Sequence, residues 1–108
     1  MNVVIVGPDR GLGNALRQGG ANVNRVTGPA GKEPLLDAGL ERADVLIITD
    51  ANEATAIPVA RDIVPDIKVI AYTPETMPEF VAGVLDIAID PQLLDADIVA
   101  EEIQSAIR

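Results

Sequence analysis

The sequence predicts one α/β domain in which a parallel sheet of about five strands, in the order 2-1-3-4-5, carries helices on both faces. Three observations lead there. Short runs rich in Val and Ile alternate with helical patterns along the whole chain, and that alternation forces parallel strands joined by right-handed crossovers. Apolar residues make up 48% of the chain but aromatics only 2%, so the core must be aliphatic, which suits buried strands and the helices over them. The 108 residues are the length of one small domain that can bury a core without metal or disulfide staples. Residues 1–108 are therefore read as a single Rossmann-like unit.

In chain order, Val3 to Val6 reads as a buried strand. A short helix follows from about Gly11, with Leu12, Ala15 and Leu16 on one face, until Gly19 and Gly20 stop it. Ala21 to Val26 alternates weakly and is polar enough for an edge strand. Thr27 to Gly31 forms a loop, and Lys32 to Gly39 a brief helix closed by its glycine. Asp44 to Thr49 is the strongest central-strand signal. A helix is expected from Thr55 to Val64, a strand from Lys68 to Tyr72, a short helix around Pro78 to Ala82, a strand from Leu85 to Ile89 and a closing helix from Asp95 to Ile107. Thr76 and Glu79 have the spacing of a capping box before the fourth helix, and Val99, Ile103, Ala106 and Ile107 form one stripe on the last. Pro58 requires that the third helix either start near Thr55 or kink, because a proline in a helix interior removes a hydrogen bond and clashes with the preceding turn.

Composition narrows the function. The chain has no Cys and no His, which removes thiol nucleophiles, imidazole acid–base chemistry and the commonest transition-metal ligands; no catalytic constellation is visible. Acidic residues outnumber basic ones 17 to 8, for a net charge of −9, and such a surface repels nucleic acid. The same balance is familiar in cytoplasmic proteins of salt-accumulating, halophilic organisms, where ions screen self-repulsion. No signal-like segment leads the sequence and no apolar run reaches membrane-spanning length, so a soluble cytoplasmic protein without direct membrane insertion is expected.

The segment VVIVGPDRGLGNAL, together with LLDAGLERADVLIITDANEATAIPVARDIVPDIKVIAY, resembles the TrkA N-terminal (RCK-type) domain over most of the chain. Asp37 to Asp44 matches that family's stretch before the central strand, and Asp50, Asn52 and Glu53 approximate its acidic, Asn-containing turn. The resemblance implies a nucleotide-binding regulatory module whose ligand lies on the loop Gly7, Pro8, Asp9, Arg10, Gly11, Leu12 and Gly13, facing Asp50 and Asn52. The glycine spacing is G-x-x-x-G-x-G, that of short-chain dehydrogenases, but Thr76 stands where that family's catalytic lysine would follow Tyr72. Val26, Thr27 and Gly28 stand where an acid would hold the adenosine ribose. The expected ligand is thus a mononucleotide of the AMP or ATP type with magnesium or potassium, not NAD.

The strand order also resembles a response-regulator receiver domain. Asp9, Asp50 and Thr73 follow the first, third and fourth strands, and the resemblance implies that Asp9 and Asp50 hold a metal ion, with Asp50 as phosphoryl acceptor. A receiver's lysine before a proline after the fifth strand is replaced by Asp90 before Pro91. This alternative implies a degenerate receiver acting through protein contacts. Partners compatible with either reading are a small nucleotide-type ligand, a second copy in a homodimer, or a membrane-transport or signalling protein. Each residue also has a structural use: Asp50 and Asn52 as helix caps, Thr73 on a strand-end amide, Asp90 in an Asx turn and the glycines in a tight turn.

Overall fold

The computed structural model describes residues 1–107. Five strands, β1 (Asn2–Val6), β2 (Asn22–Val26), β3 (Val45–Ile48), β4 (Lys68–Tyr72) and β5 (Ile87–Ile89), alternate with helices α1 (Leu12–Gln18), α2 (Lys32–Asp37), α3 (Ala56–Ile63), α4 (Glu79–Ala82) and α5 (Ala96–Ile107). All neighbours pair in parallel, in the order β2-β1-β3-β4-β5. The fold is therefore the single α/β domain that the sequence predicts. No helix is long and apolar enough to cross a membrane among the described residues.

Alternation along the strands divides the core in two. On one face Val4, Val6, Leu46, Ile48 and Val69 meet Leu35 of α2 and Ile57 and Ala60 of α3. On the other, Val3, Ile5, Val45, Ile47, Ile70 and Tyr72 meet Leu12 and Leu16 of α1 and Val99 and Ile103 of α5. Central strands are buried on both faces, so each of their residues contributes, and full burial of a Val, Ile or Leu is worth about 1.5–3 kcal/mol. Pro58 is the third residue of α3, in the first turn, where its missing N–H leaves no intrahelical bond unmade. The first of the two alternatives for that helix is the correct one.

Three local expectations need correction. The capping box at Thr76 and Glu79 does not form: Met77 precedes a proline, which disfavours helical backbone there, so α4 begins only after Pro78 and has no side-chain cap. On α5 the buried stripe turns toward Ala100, joining Val99 and Ile103, and leaves Ala106 exposed at its rim. The last strand is three residues rather than five: the Asp86 N–H donates to the Val69 carbonyl at 2.8 Å, but the Val69 N–H goes to the Asp86 carboxylate at 2.7 Å instead of to a β5 carbonyl, so the paired register with β4 starts at Ile87. None of the three residues of β5 is buried.

Candidate functional site

Parallel strands deliver all their carboxyl ends to one edge of the sheet, and the order reverses between β1 and β3, so the crevice lies there. The chain leaves β1 through Gly7 with φ +113°, its N–H donated to the Val26 carbonyl at 3.1 Å. Any Cβ at Gly7 would sit 2.5 Å from the Thr49 hydroxyl and 3.1 Å from Asp50 Cβ, so glycine is required both for its backbone and for space. Loop and turn thus abut, as the topology predicts.

Thr49 organises this contact. It is fully buried at the end of β3, with its hydroxyl 2.6 Å from the Pro8 carbonyl oxygen and 3.2 Å from that of Val6. Its own carbonyl accepts the Arg10 Nε–H at 2.9 Å. Arg10 is the only non-glycine residue with positive φ, 53°, among the described residues, and this hydrogen bond holds it there. Sequence reasoning passed over Thr49, although a hydroxyl ending an otherwise apolar strand was a usable signal.

Asp9 turns back onto α1. Its carboxylate accepts the Asn14 N–H at 3.3 Å and lies 3.8 Å from the Arg17 guanidinium, while its carbonyl accepts the Leu12 N–H at 3.0 Å. The absent Cβ of Gly13 is what makes room, since a side chain there would collide with Asp9 Oδ1. A carboxylate of the chain itself therefore occupies the electropositive first turn of α1, where a ligand phosphate would otherwise be favoured. Gly11 provides the backbone cap of that helix in a left-handed conformation, and Leu12 is core.

Across the crevice the polar groups are engaged in the same way. Asp50 accepts the Asn52 N–H at 2.9 Å and so caps the 3₁₀ turn Ala51–Glu53, while the Asn52 residue is exposed. Glu75 bridges two loops, accepting the Ala51 N–H and the Thr73 hydroxyl, each at 3.1 Å, and its own N–H donates to Thr73 Oγ1 at 3.2 Å. Asp90 forms the Asx turn, accepting the Gln92 N–H at 2.8 Å. The expected metal pair Asp9 and Asp50 thus binds two different backbone segments, and no group of three acidic side chains gathers at metal-holding distance among the described residues. Tyr72 donates its phenol to the Leu94 carbonyl at 3.0 Å; burial, helped by the charge of Asp95 and opposed by that of Arg10, raises its pKa.

Two openings adjoin this edge of the sheet. A small pocket beside the loop is lined by Gly7, Pro8, Arg25, Gly28, Asp50 and Glu53, one basic and two acidic residues, and the Glu53 carboxylate accepts the Ala30 N–H at 3.0 Å. A larger groove runs down from Thr73, Glu75 and Asp90 between α4 and the last two strands, over Ala71 and Ala88.

This fold and strand order define an α/β protein of receiver-like topology. Residues 3–103 match a family of unknown function, DUF7126, and the chain belongs to that family. No curated protein matches it. Among solved structures it is similar to an orphan response regulator of H. pylori, with a TM-score of 0.72 at 12% identity over 100% of this chain and 97% of that one. It is also similar to a protein of Burkholderia pseudomallei K96243 described as pilus assembly-related, with a TM-score of 0.68 at 18% identity over 99% and 89% of the two chains. A protein of Burkholderia thailandensis E264 described as a pilus assembly protein gives 0.67 at 17% over 98% and 97%. At these identities the likeness is one of fold.

Proposed function

We propose that this chain is a receiver-like regulatory module that acts through protein contacts, with a crevice held closed by its own side chains. The observation that carries this reading is the Asp9 carboxylate on the first turn of α1, in the room left by Gly13. A phosphate there would have to displace a resident anion, and the pocket beside the loop is itself lined by Asp50 and Glu53. Asp90, standing where the resemblance to receivers asks for lysine, removes the cation that would respond to a phosphorylated Asp50, so regulation by phosphoryl transfer is not part of the proposal.

A second reading keeps the nucleotide module of the TrkA N-terminal type, and the pocket between Gly7, Arg25 and Gly28 favours it. Amide chemical shifts in potassium chloride separate the two. With AMP or ATP and magnesium, and separately with magnesium and beryllofluoride, no saturable shift is expected at Gly7 to Gly13, Asp50 or Thr73. Saturable nucleotide shifts at Gly7 to Gly13 would establish the second reading. A beryllofluoride response at Asp50 and Thr73, lost in Asp50→Asn, would show a working phosphoryl receiver.

A further inference from the structure

Every exposed large apolar side chain among the described residues lies in one stretch: Phe80, Val84, Ile87, Leu93, Leu94 and Ile98. They belong to α4, the turn from α4 into β5, β5 itself, the loop after it and the start of α5, so they surround the free edge of the sheet. Leu93 is 80% exposed and Phe80 60%. Scattered surface leucines need no explanation, but a set confined to one edge does.

The layer that should cover this edge is short. α4 is a single turn of four residues, and beneath it the groove floor is Ala71 and Ala88, small residues on adjacent strands. Its walls include Met77, Ala82 and Leu85. In a three-layer α/β fold the missing cover at such a place is helical.

Charge says what kind of helix. Residues 1–68 carry nine acidic and seven basic side chains, whereas residues 69–108 carry eight acidic and a single basic one, the terminal Arg108. Glu79, Asp86, Asp95 and Asp97 are exposed around the apolar set. Arg61 reaches in from α3 but is held by Asp86 at 3.3 Å and the Val84 carbonyl at 3.0 Å. Two copies of this face would oppose acids with acids, a like-charge juxtaposition that disfavours self-association through it.

We infer that the edge formed by α4, β5 and the start of α5 is the docking surface for a cationic amphipathic helix of another protein. Its apolar stripe lies against Phe80, Leu93 and the groove, and its Lys or Arg residues meet the acidic rim. This inference rests on the protein-contact reading above and names the partner's chemistry. The Tyr72 phenol fixes the loop that presents the surface, through the Leu94 carbonyl.

The test uses three synthetic probes titrated into the labelled protein: an amphipathic Leu/Lys helix, a Leu/Glu helix with the same apolar face, and oligolysine. The Leu/Lys helix is expected to give saturable amide shifts confined to residues 79–98, and Leu93→Ser with Phe80→Ser to weaken it by about tenfold or more, as for loss of central apolar anchors. Both positions are exposed, and unchanged melting of the variant confirms that it folds. The Leu/Glu helix and oligolysine are expected to give no localised saturable shifts. Equal localised binding by either control overturns the inference, as do Leu/Lys shifts spread over the surface or absent. Sedimentation showing a dimer that the double variant abolishes overturns it in favour of a second copy. Failure of the probes with a silent crevice removes this inference alone, whereas a nucleotide response in the crevice removes the reading beneath it.

Discussion

The two edges of the sheet are finished in opposite ways. β2 presents Asn22, Asn24 and Arg25 to solvent and buries Val23 and Val26, as an edge strand does when it must not pair further. β5 has no buried residue, exposes Ile87 and Ala88, and is flanked by exposed Phe80 and Leu93. The β2 edge is complete in itself, and next to it the crevice is closed by Asp9, Thr49 and Arg10. The β5 edge is blunted only by its shortness. This contrast underlies our proposal that the working surface lies at the second edge rather than in the crevice that the fold class would suggest.

The sharpest way to break that comparison is to truncate partners across the last ladder. Ile70 and Ile87 are paired in β4 and β5, yet Ile70 is fully buried and Ile87 is 42% exposed. Ile70→Ala is expected to cost about 2–5 kcal/mol, the range for a core Ile truncation, and Ile87→Ala less than about 1 kcal/mol. Denaturant midpoints check this, and equal losses would mean that the β5 edge is part of the core.

A smaller effect is expected at the crevice. Asp9→Ala removes the carboxylate from the first turn of α1 and leaves the Asn14 N–H without its partner, a loss of about 0.5–2 kcal/mol, in the range of a lost helix cap. A neutral result by the same denaturant measurement would show that Asp9 does not close the loop.

A further small effect is expected at the hydrogen bond that ties β4 to the loop after β5. Tyr72→Phe loses its bond to the Leu94 carbonyl and is expected to cost about 1 kcal/mol. Because Tyr72 is the one tyrosine and tryptophan is absent, its phenolate absorbance can be followed directly. Burial raises the phenol's pKa in the folded chain, so the unfolded chain ionises first. Stability is thus expected to hold below the ordinary value of about 10 and to fall as pH rises through the interval up to the raised folded value. A titration midpoint at or below about 10 would show that the phenol, and the loop it holds, are open to solvent.

Much of the fold was legible because strand burial is written in local pattern. Val45 to Ile48 is a short, wholly apolar and largely β-branched run of the kind that a central parallel strand buries on both faces, and Gly39 before it marks the turn that leads in. The same pattern places the last strand but makes it two residues too long at Leu85 to Ile89, and it does not show that β5, with a strand neighbour on one side only and a single-turn α4 beside it, stays unburied. The crevice was legible as a place but not as a chemistry. Parallel topology brings Gly7, Asp9, Asp50, Thr73 and Asp90 to one edge from sequence alone. That Asp9 folds back to Asn14, that Asp86 substitutes for a ladder partner, and that Glu75 ties Ala51 to Thr73 depend on side-chain directions that no spacing rule encodes.

Amide hydrogen exchange tests the contrast most directly, because one experiment reads both regions. Exchange in β1 and β3 is expected to require global unfolding, while α4 and β5 open at a fraction of that free energy. The Asn14 amide is the discriminating probe: at the third position of α1 it has no intrahelical acceptor, so it is slowed only if the Asp9 carboxylate holds it. The account predicts a slowed Asn14 in the natural protein, a fast one in Asp9→Ala, and the weakest protection of any strand in β5. An Asn14 amide exchanging at the unprotected rate, or β5 as protected as β3, would contradict it.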